Sequence, residues 1–102
     1  MLPRPKRLDR ASFGRVSTGK RHISAHFSVS VAKDEQGRAA AVVSKKVAKR
    51  SVDRHTLKRR MLASVLPYIR PGRSFVVYAR AGSLTLSYRE LHAELATLLS
   101  SI

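Results

Sequence analysis

A chain of 102 residues, 43% of them hydrophobic, can build one core and one domain and is too short for two. Its 21 Lys and Arg against 6 acids leave a formal net charge of +15, a field that favours polyanionic partners, nucleic acid first. The absence of cysteine excludes disulfides, thiol catalysis and cysteine-type zinc sites, and the longest apolar runs, Ala39 to Val43 and Phe75 to Ala79, are far too short to span a bilayer.

Residues 1 to 7, MLPRPKR, carry two prolines and three positive charges with almost nothing to bury, and read as a flexible basic arm ahead of a single domain over 8–102. The first twenty residues are Arg-rich and acid-poor like a transit peptide, but Pro3, Pro5 and Gly14 oppose an amphipathic helix there; a soluble, cytoplasmic protein is expected. Asp9 is a candidate N-cap for a helix reaching about Ser17, with Phe13 and Val16 one turn apart. Residues 26 to 33 alternate: Phe27, Val29 and Val31 point one way, while His26, Ser28 and Ser30 point the other, as in a half-buried strand. The turn-like Asp34 to Arg38 then predicts a hairpin whose second strand starts at Ala39 and, being apolar on both faces, lies centrally.

A helix is predicted over 51–66, with Ser51 as N-cap, Asp53 in the first turn and Leu57, Met61 and Val65 on one face; Pro67 ends it. The run SFVVYAR, Ser74 to Arg80, reads as a further strand. Ser87 and Glu90 form a capping box with Leu86 and Leu91 as the staple, and Tyr88, Leu91, Leu95, Leu98 and Ile102 make a core stripe on the last helix. These elements predict an α+β fold: a small two-layer sandwich of a mostly antiparallel sheet of three to four strands and three helices, in the order α-β-β(-β)-α-β-α.

The stretch Ser44 to Met61 holds eight Lys or Arg residues against one acid, Asp53. On the helix, Arg54 with Lys58, His55 with Arg59 and Thr56 with Arg60 form three rows one turn apart, whereas Met61, Leu62, Val65 and Leu66 concentrate in its second half. Ion pairing along the helix does not explain so one-sided a mixture, in which like-charge neighbours cost about 0.2–0.5 kcal/mol each. Phosphate neutralisation does, with the apolar half docked on the sheet and the polar half turned to a large anionic partner. No catalytic residue or metal ligand set is expected: the acids are scattered, no Ser-His-Asp spacing appears, and His22 and His26, at the spacing of a helical zinc pair, run into a strand without a nearby Glu. A helix-turn-helix is disfavoured because a strand follows the basic helix.

The order and spacing of several segments resemble the protein subunit of bacterial ribonuclease P. They are Phe13-x-x-Val16 followed by Gly19; Val42-Val43-Ser44-Lys45-Lys46-Val47 leading into Val52-x-Arg54-His55-x-x-Lys58-Arg59-Arg60-Met61; Phe75-Val76-Val77-Tyr78-Ala79-Arg80; and Leu86-x-Tyr88-x-Glu90-Leu91. The resemblance implies a left-handed βαβ crossover and a subunit that assists a catalytic RNA in the Mg²⁺-dependent removal of the 5′ leader from precursor tRNA. In this arrangement Mg²⁺ comes through the RNA, the protein holds none, and one protein serves one RNA.

Carried over by position, Lys45, Lys46, Lys49, Arg50, Arg54, His55, Lys58, Arg59 and Arg60 face the catalytic RNA. A cleft between the sheet and the first helix takes the single-stranded leader through Phe13, Ser17, Phe27 and Ser30, with Phe27 open to a core role as well. The chain departs from the family at His55 and Thr56, which stand where an Asn and a second Arg are usual, and at Ser17 and Ser30, which stand where aromatics are common. A structural RNA-binding protein, such as a small ribosomal component, shares the size and charge but not the order of motifs. Self-repulsion at +15 makes the isolated chain marginal and dependent on bound anions; thermal melting should shift upward when sulfate is added, and an unchanged midpoint would contradict this.

Overall fold

The computed structural model describes residues 7–102; except for Arg7, the basic arm expected over residues 1 to 7 lies outside the described residues. Asp9 opens the first helix as expected, its carboxylate accepting the Ser12 N–H at 2.8 Å, and α1 runs over Arg10–Ser17. Then come β1 (Lys20–Ile23), β2 (Phe27–Asp34), β3 (Ala39–Val42), α2 (Ser51–Val65), β4 (Gly72–Ala79) and α3 (Tyr88–Ser100), with short 3₁₀ turns at Leu66–Tyr68 and Ser83–Thr85. The capping box of α3 is fully formed between Ser87 and Glu90.

The sheet order is β1-β2-β4-β3, which corrects the expected hairpin. Strand β4 lies between β2 and β3, antiparallel to β2 from Phe27 opposite Ala79 to Asp34 opposite Gly72, and parallel to β3 from Ala39 opposite Phe75 to Val42 opposite Tyr78. The reason lies in side-chain size: Phe75, Val76 and Val77 fill both faces of a central strand, whereas the alanines of β3 suit an edge on which a helix approaches closely. Gly37 makes the rearrangement possible. Its φ of 66° and its place against the Arg70 carbonyl, where an added Cβ would sit 2.1 Å away, carry the β2–β3 loop past the start of β4 instead of back along β2.

Strand β1, unassigned in the sequence, is a mostly exposed edge paired antiparallel with β2, so His22 and His26 flank a turn between strands and are not stacked on a helix. Arg50, not Ser51, holds the N-cap position of α2, because the Arg50 carbonyl already accepts the Arg54 N–H at 3.1 Å. Strands β3 and β4 are joined through α2, a crossover between parallel neighbours.

On one face of the sheet, α2 and α3 pack over Phe27, Val29, Ala39, Ala41, Phe75 and Val77 through Leu57, Met61, Leu62, Val65, Leu91, Leu95, Leu98 and Leu99. This is the predicted sandwich of sheet and helices. Tyr88 leaves the predicted stripe and is exposed. Helix α1 covers part of the other face, over β2 and β4, so Ser28 and Ser30 are buried where alternation alone points them to solvent.

A polar network fixes α1 to the sheet. Ser74 Oγ donates to Asp34 at 2.6 Å, and the Arg38 guanidinium reaches Ser12 Oγ at 2.8 Å, Asp9 at 3.2 Å and Asp34 at 3.5 Å. The hydrogen bond from Ser74, with help from the Gln36 N–H and Arg38, holds the Asp34 carboxyl below the ordinary aspartate range; the Ser12 N–H does the same for Asp9. Depressed folded values contribute stability that is complete above the unfolded aspartate value of about 4 and is lost as pH falls through the lower folded values. Urea midpoints at constant anion concentration should therefore fall on acidification below about pH 4. Asp34→Asn should start lower at neutral pH and show a shallower acid loss; an identical acid profile would remove Asp34 from the network.

Candidate RNA interface

After β3 the chain turns sharply, the Ser44 carbonyl accepting both the Val47 and the Ala48 N–H at 3.1 Å. Ala48 is buried beneath this turn, which leaves Lys45, Lys46, Lys49 and Arg50 exposed on it. Arg54, on the first turn of α2, is half-buried, and its Nη1 donates to the Ala48 carbonyl at 3.0 Å and the Lys49 carbonyl at 2.8 Å. The cation expected to meet RNA thus also braces the turn that presents four others.

Ser51, Arg54, His55 and Lys58 line a groove along Ala41 to Val43 at the outer edge of β3. Lys58 also borders a hollow formed with Arg7, Leu8, Ala39, Ala40 and Leu62, where Leu8 donates its N–H to the Ala39 carbonyl. Arg59 is exposed, and Arg60 turns to the other flank of the helix, its guanidinium 5.9 Å from the centre of the Tyr88 ring. Thr56 and Arg60 share that flank in a hollow with Asp53, Leu57, Leu84 and Leu86. Of the eight Lys and Arg residues between 45 and 60, Arg50 alone stands within 4.0 Å of a carboxylate among the described residues, and that contact with Asp53 is at the surface. Their charge is left for an external anion.

A second surface lies on the α1 side of the sheet. Because Val77 points into the core, Tyr78 points to the opposite face, between its register partners Ser28 and Val42. The Arg21 guanidinium from β1 lies 5.2 Å from the centre of the Tyr78 ring. Phe13 and Ser17 on α1 are half-exposed, and the Ser17 hydroxyl donates to the Gly14 carbonyl. The other two leader candidates are corrected by their burial. Phe27 is 0% exposed in the core on the α2 and α3 face, and Ser30 is 0% exposed on β2, whose outer face α1 covers. Tyr78 and Arg21 share this surface without being candidates from the sequence; the alternation Phe75, Val77 against Val76, Tyr78 is the signal that points to the tyrosine. Val42 belongs to both surfaces, beside Tyr78 in the sheet and on the groove of Arg54, His55 and Lys58.

His26 and Ser24 both bind Glu94 of α3, His26 through Nδ1 at 2.7 Å and its backbone N–H at 2.7 Å. Burial raises the Glu94 carboxyl, and the hydrogen bonds from Ser24 and His26 outweigh it, leaving it below the usual glutamate value. The Ser24 hydroxyl donates to the carboxylate and not to the imidazole, so the trio ties the β1–β2 turn to α3 and does not activate a nucleophile.

The family model described as Ribonuclease P matches residues 2–102. The ribonuclease P protein component of Cyanothece sp. is 32% identical, the match covering 98% of this chain and 94% of that one. Among solved structures, the Staphylococcus aureus RNase P protein superposes with a TM-score of 0.81 at 20% identity over 94% of each chain. The Thermotoga maritima RNase P protein does so with a TM-score of 0.79 at 24% identity, over 94% of this chain and 96% of that one. These two show the same fold.

The geometry separates Arg54 from Arg59. Arg54→Ala should lower the melting temperature and weaken RNA binding together, because two turn carbonyls lose their donor. Arg59→Ala should leave melting unchanged, weaken RNA binding and reduce the slope of log K against log salt by about 0.9. Equal melting temperatures for the two variants would deny Arg54 its bracing part.

Proposed function

The chain belongs to the ribonuclease P protein component family, and on that premise we propose that it is the RNA-binding subunit of a ribonucleoprotein that removes 5′ leaders from precursor tRNA. The observation that carries this reading is the set of cations that, among the described residues, have no carboxylate partner on the β3–α2 turn and the first half of α2. A rigid turn and a helix start present them together, so ordering them costs little when RNA phosphates arrive, and each neutralised phosphate releases counterions. His55, exposed beside Lys58, donates from a ring nitrogen to phosphate or a 2′-hydroxyl. Thr56 replaces an arginine of the family pattern on the flank toward α3, where Arg60 supplies a cation one turn later.

The single-stranded leader lies on the α1 side of the sheet, where bases stack on Tyr78 and Phe13 and Arg21 meets the phosphates. Since Val42 joins this surface to the α2 groove, catalytic RNA and leader are held side by side, which is how a protein without catalytic groups assists cleavage: it positions one strand against another. Mg²⁺ belongs with the RNA. An interface rich in Lys and Arg, with Asp53 its lone carboxylate, has the wrong chemistry for a hard cation that needs oxygen ligands. One protein per RNA, acting in the cytoplasm, completes the reading.

Reconstitution tests it. Added to a bacterial ribonuclease P RNA at low Mg²⁺, the protein should raise the rate of precursor tRNA cleavage; no gain would overturn the proposal. Tyr78→Ala should cost about 1–3 kcal/mol in affinity for leader-bearing substrate, measured by equilibrium binding, and nothing for the same tRNA without its leader.

A further inference from the structure

Tyr88 is the one residue of the α3 stripe that does not join the core. It stands 47% exposed at the first position of α3, where the Ser87–Glu90 capping box fixes the backbone. Arg60 crosses from α2 to lie over its ring at 5.9 Å, and His92, one turn along α3, meets the ring edge-on at 6.4 Å between centroids with planes 74° apart. An aromatic ring kept at the surface, with a guanidinium poised over it and an imidazole at its edge, has the composition of a base-stacking platform.

The surroundings fit a nucleotide. Arg60 lines the hollow between α2 and the segment before α3, together with Leu84, which is 40% exposed, and Leu86. The nearby acids are occupied: Asp53 stands by Arg50, and Glu90 accepts the Ser87 N–H in the capping box. Arg60 itself has no carboxylate within 4.0 Å among the described residues, so its guanidinium is left for an anion. It also continues the cationic first half of α2, since Arg60 follows directly on Lys58 and Arg59. Tyr78, the other tyrosine under a guanidinium, lies on the opposite face of the sheet, so one short single strand does not serve both.

We propose that Tyr88, with Arg60 and His92, stacks one unpaired base of the catalytic RNA, Arg60 taking the adjoining phosphate. This rests on the reading of α2 as the surface for that RNA and extends its footprint onto α3. The ring supplies stacking, which is insensitive to salt; Arg60 supplies a phosphate contact, which is not.

The test is equilibrium binding of a bacterial ribonuclease P RNA across a salt series, with and without leader-bearing precursor tRNA. Tyr88→Leu, which keeps apolar bulk at the helix start, should weaken binding by about 5- to 150-fold with an unchanged salt slope, whereas Tyr88→Phe should bind like the unaltered chain. Arg60→Ala should weaken binding and reduce the slope by about 0.9. Chemical probing should show one nucleotide protected by the unaltered chain and exposed with Tyr88→Leu. Unaltered affinity for Tyr88→Leu overturns the inference while leaving the function above intact. A loss seen only with leader-bearing tRNA also overturns it, assigning the platform to the leader. If the unaltered chain itself fails to bind the RNA, both readings fall.

Discussion

The placement of β4 between β2 and β3 is the constraint from which the rest of this molecule follows. A strand carrying Ser74, Phe75, Val76 and Val77, all buried, has to be covered on both faces. That requirement brings α2 and α3 to one side and α1 to the other. It also makes β3 an edge strand, and so the chain leaving β3 turns into α2 at the margin of the sheet. The cations of that turn and helix start stand clear of the core because the core lies behind them.

Charge is then sorted by position. On the α1 side, Asp9 and Asp34 gather Arg38 and, at 3.7 Å, Arg15 into a network that holds the helix down. At the α2 end Asp53 is the one acid, and among the described residues every cation there but Arg50 lacks a carboxylate within 4.0 Å. Arg54 stands between the two regimes: a charged residue of the proposed interface whose hydrogen bonds are internal. Proposed binding surface and local fold meet in this one side chain.

The parts legible in the sequence are those decided within a few residues. Asp9 and the Ser87–Glu90 box announce helix starts because a cap is a local hydrogen bond, and Leu57, Met61 and Val65 announce a buried face because helical periodicity repeats nearby. The Asp34 to Arg38 segment misled for a related reason: a turn between two strands is a local signal for a hairpin, whereas the insertion of β4 depends on residues some 35 positions away. Ser28 and Ser30 read as solvent-facing because alternation distinguishes two faces without showing that α1 covers the second. The cationic turn and helix were legible as a charge run that has no internal partner. Phe27 was drawn toward the leader by its aromaticity, and its register places it in the core; Tyr78 and Arg21 meet only when two strands not adjacent in the sheet lie across β2 from one another.

Among the described residues the sheet ends on two edges, β1 and β3, the second bridged at Ala39 by Arg7 and Leu8. An exposed strand edge offers unpaired backbone groups to any other strand, including that of a second copy, and is a standing route to aggregation. Here Lys20 and Arg21 lie on one edge, and Lys58 and Arg54 border the other. Two copies approaching edge to edge bring like charges together, so the cations of the proposed RNA surface also oppose pairing of the RNA-free chain with itself. That protection weakens as salt rises, because the screening length shrinks to about 3 Å at 1 M. Charge placed at the edges thus opposes strand-to-strand association as net charge does, and it does so least in concentrated salt when no polyanion is bound.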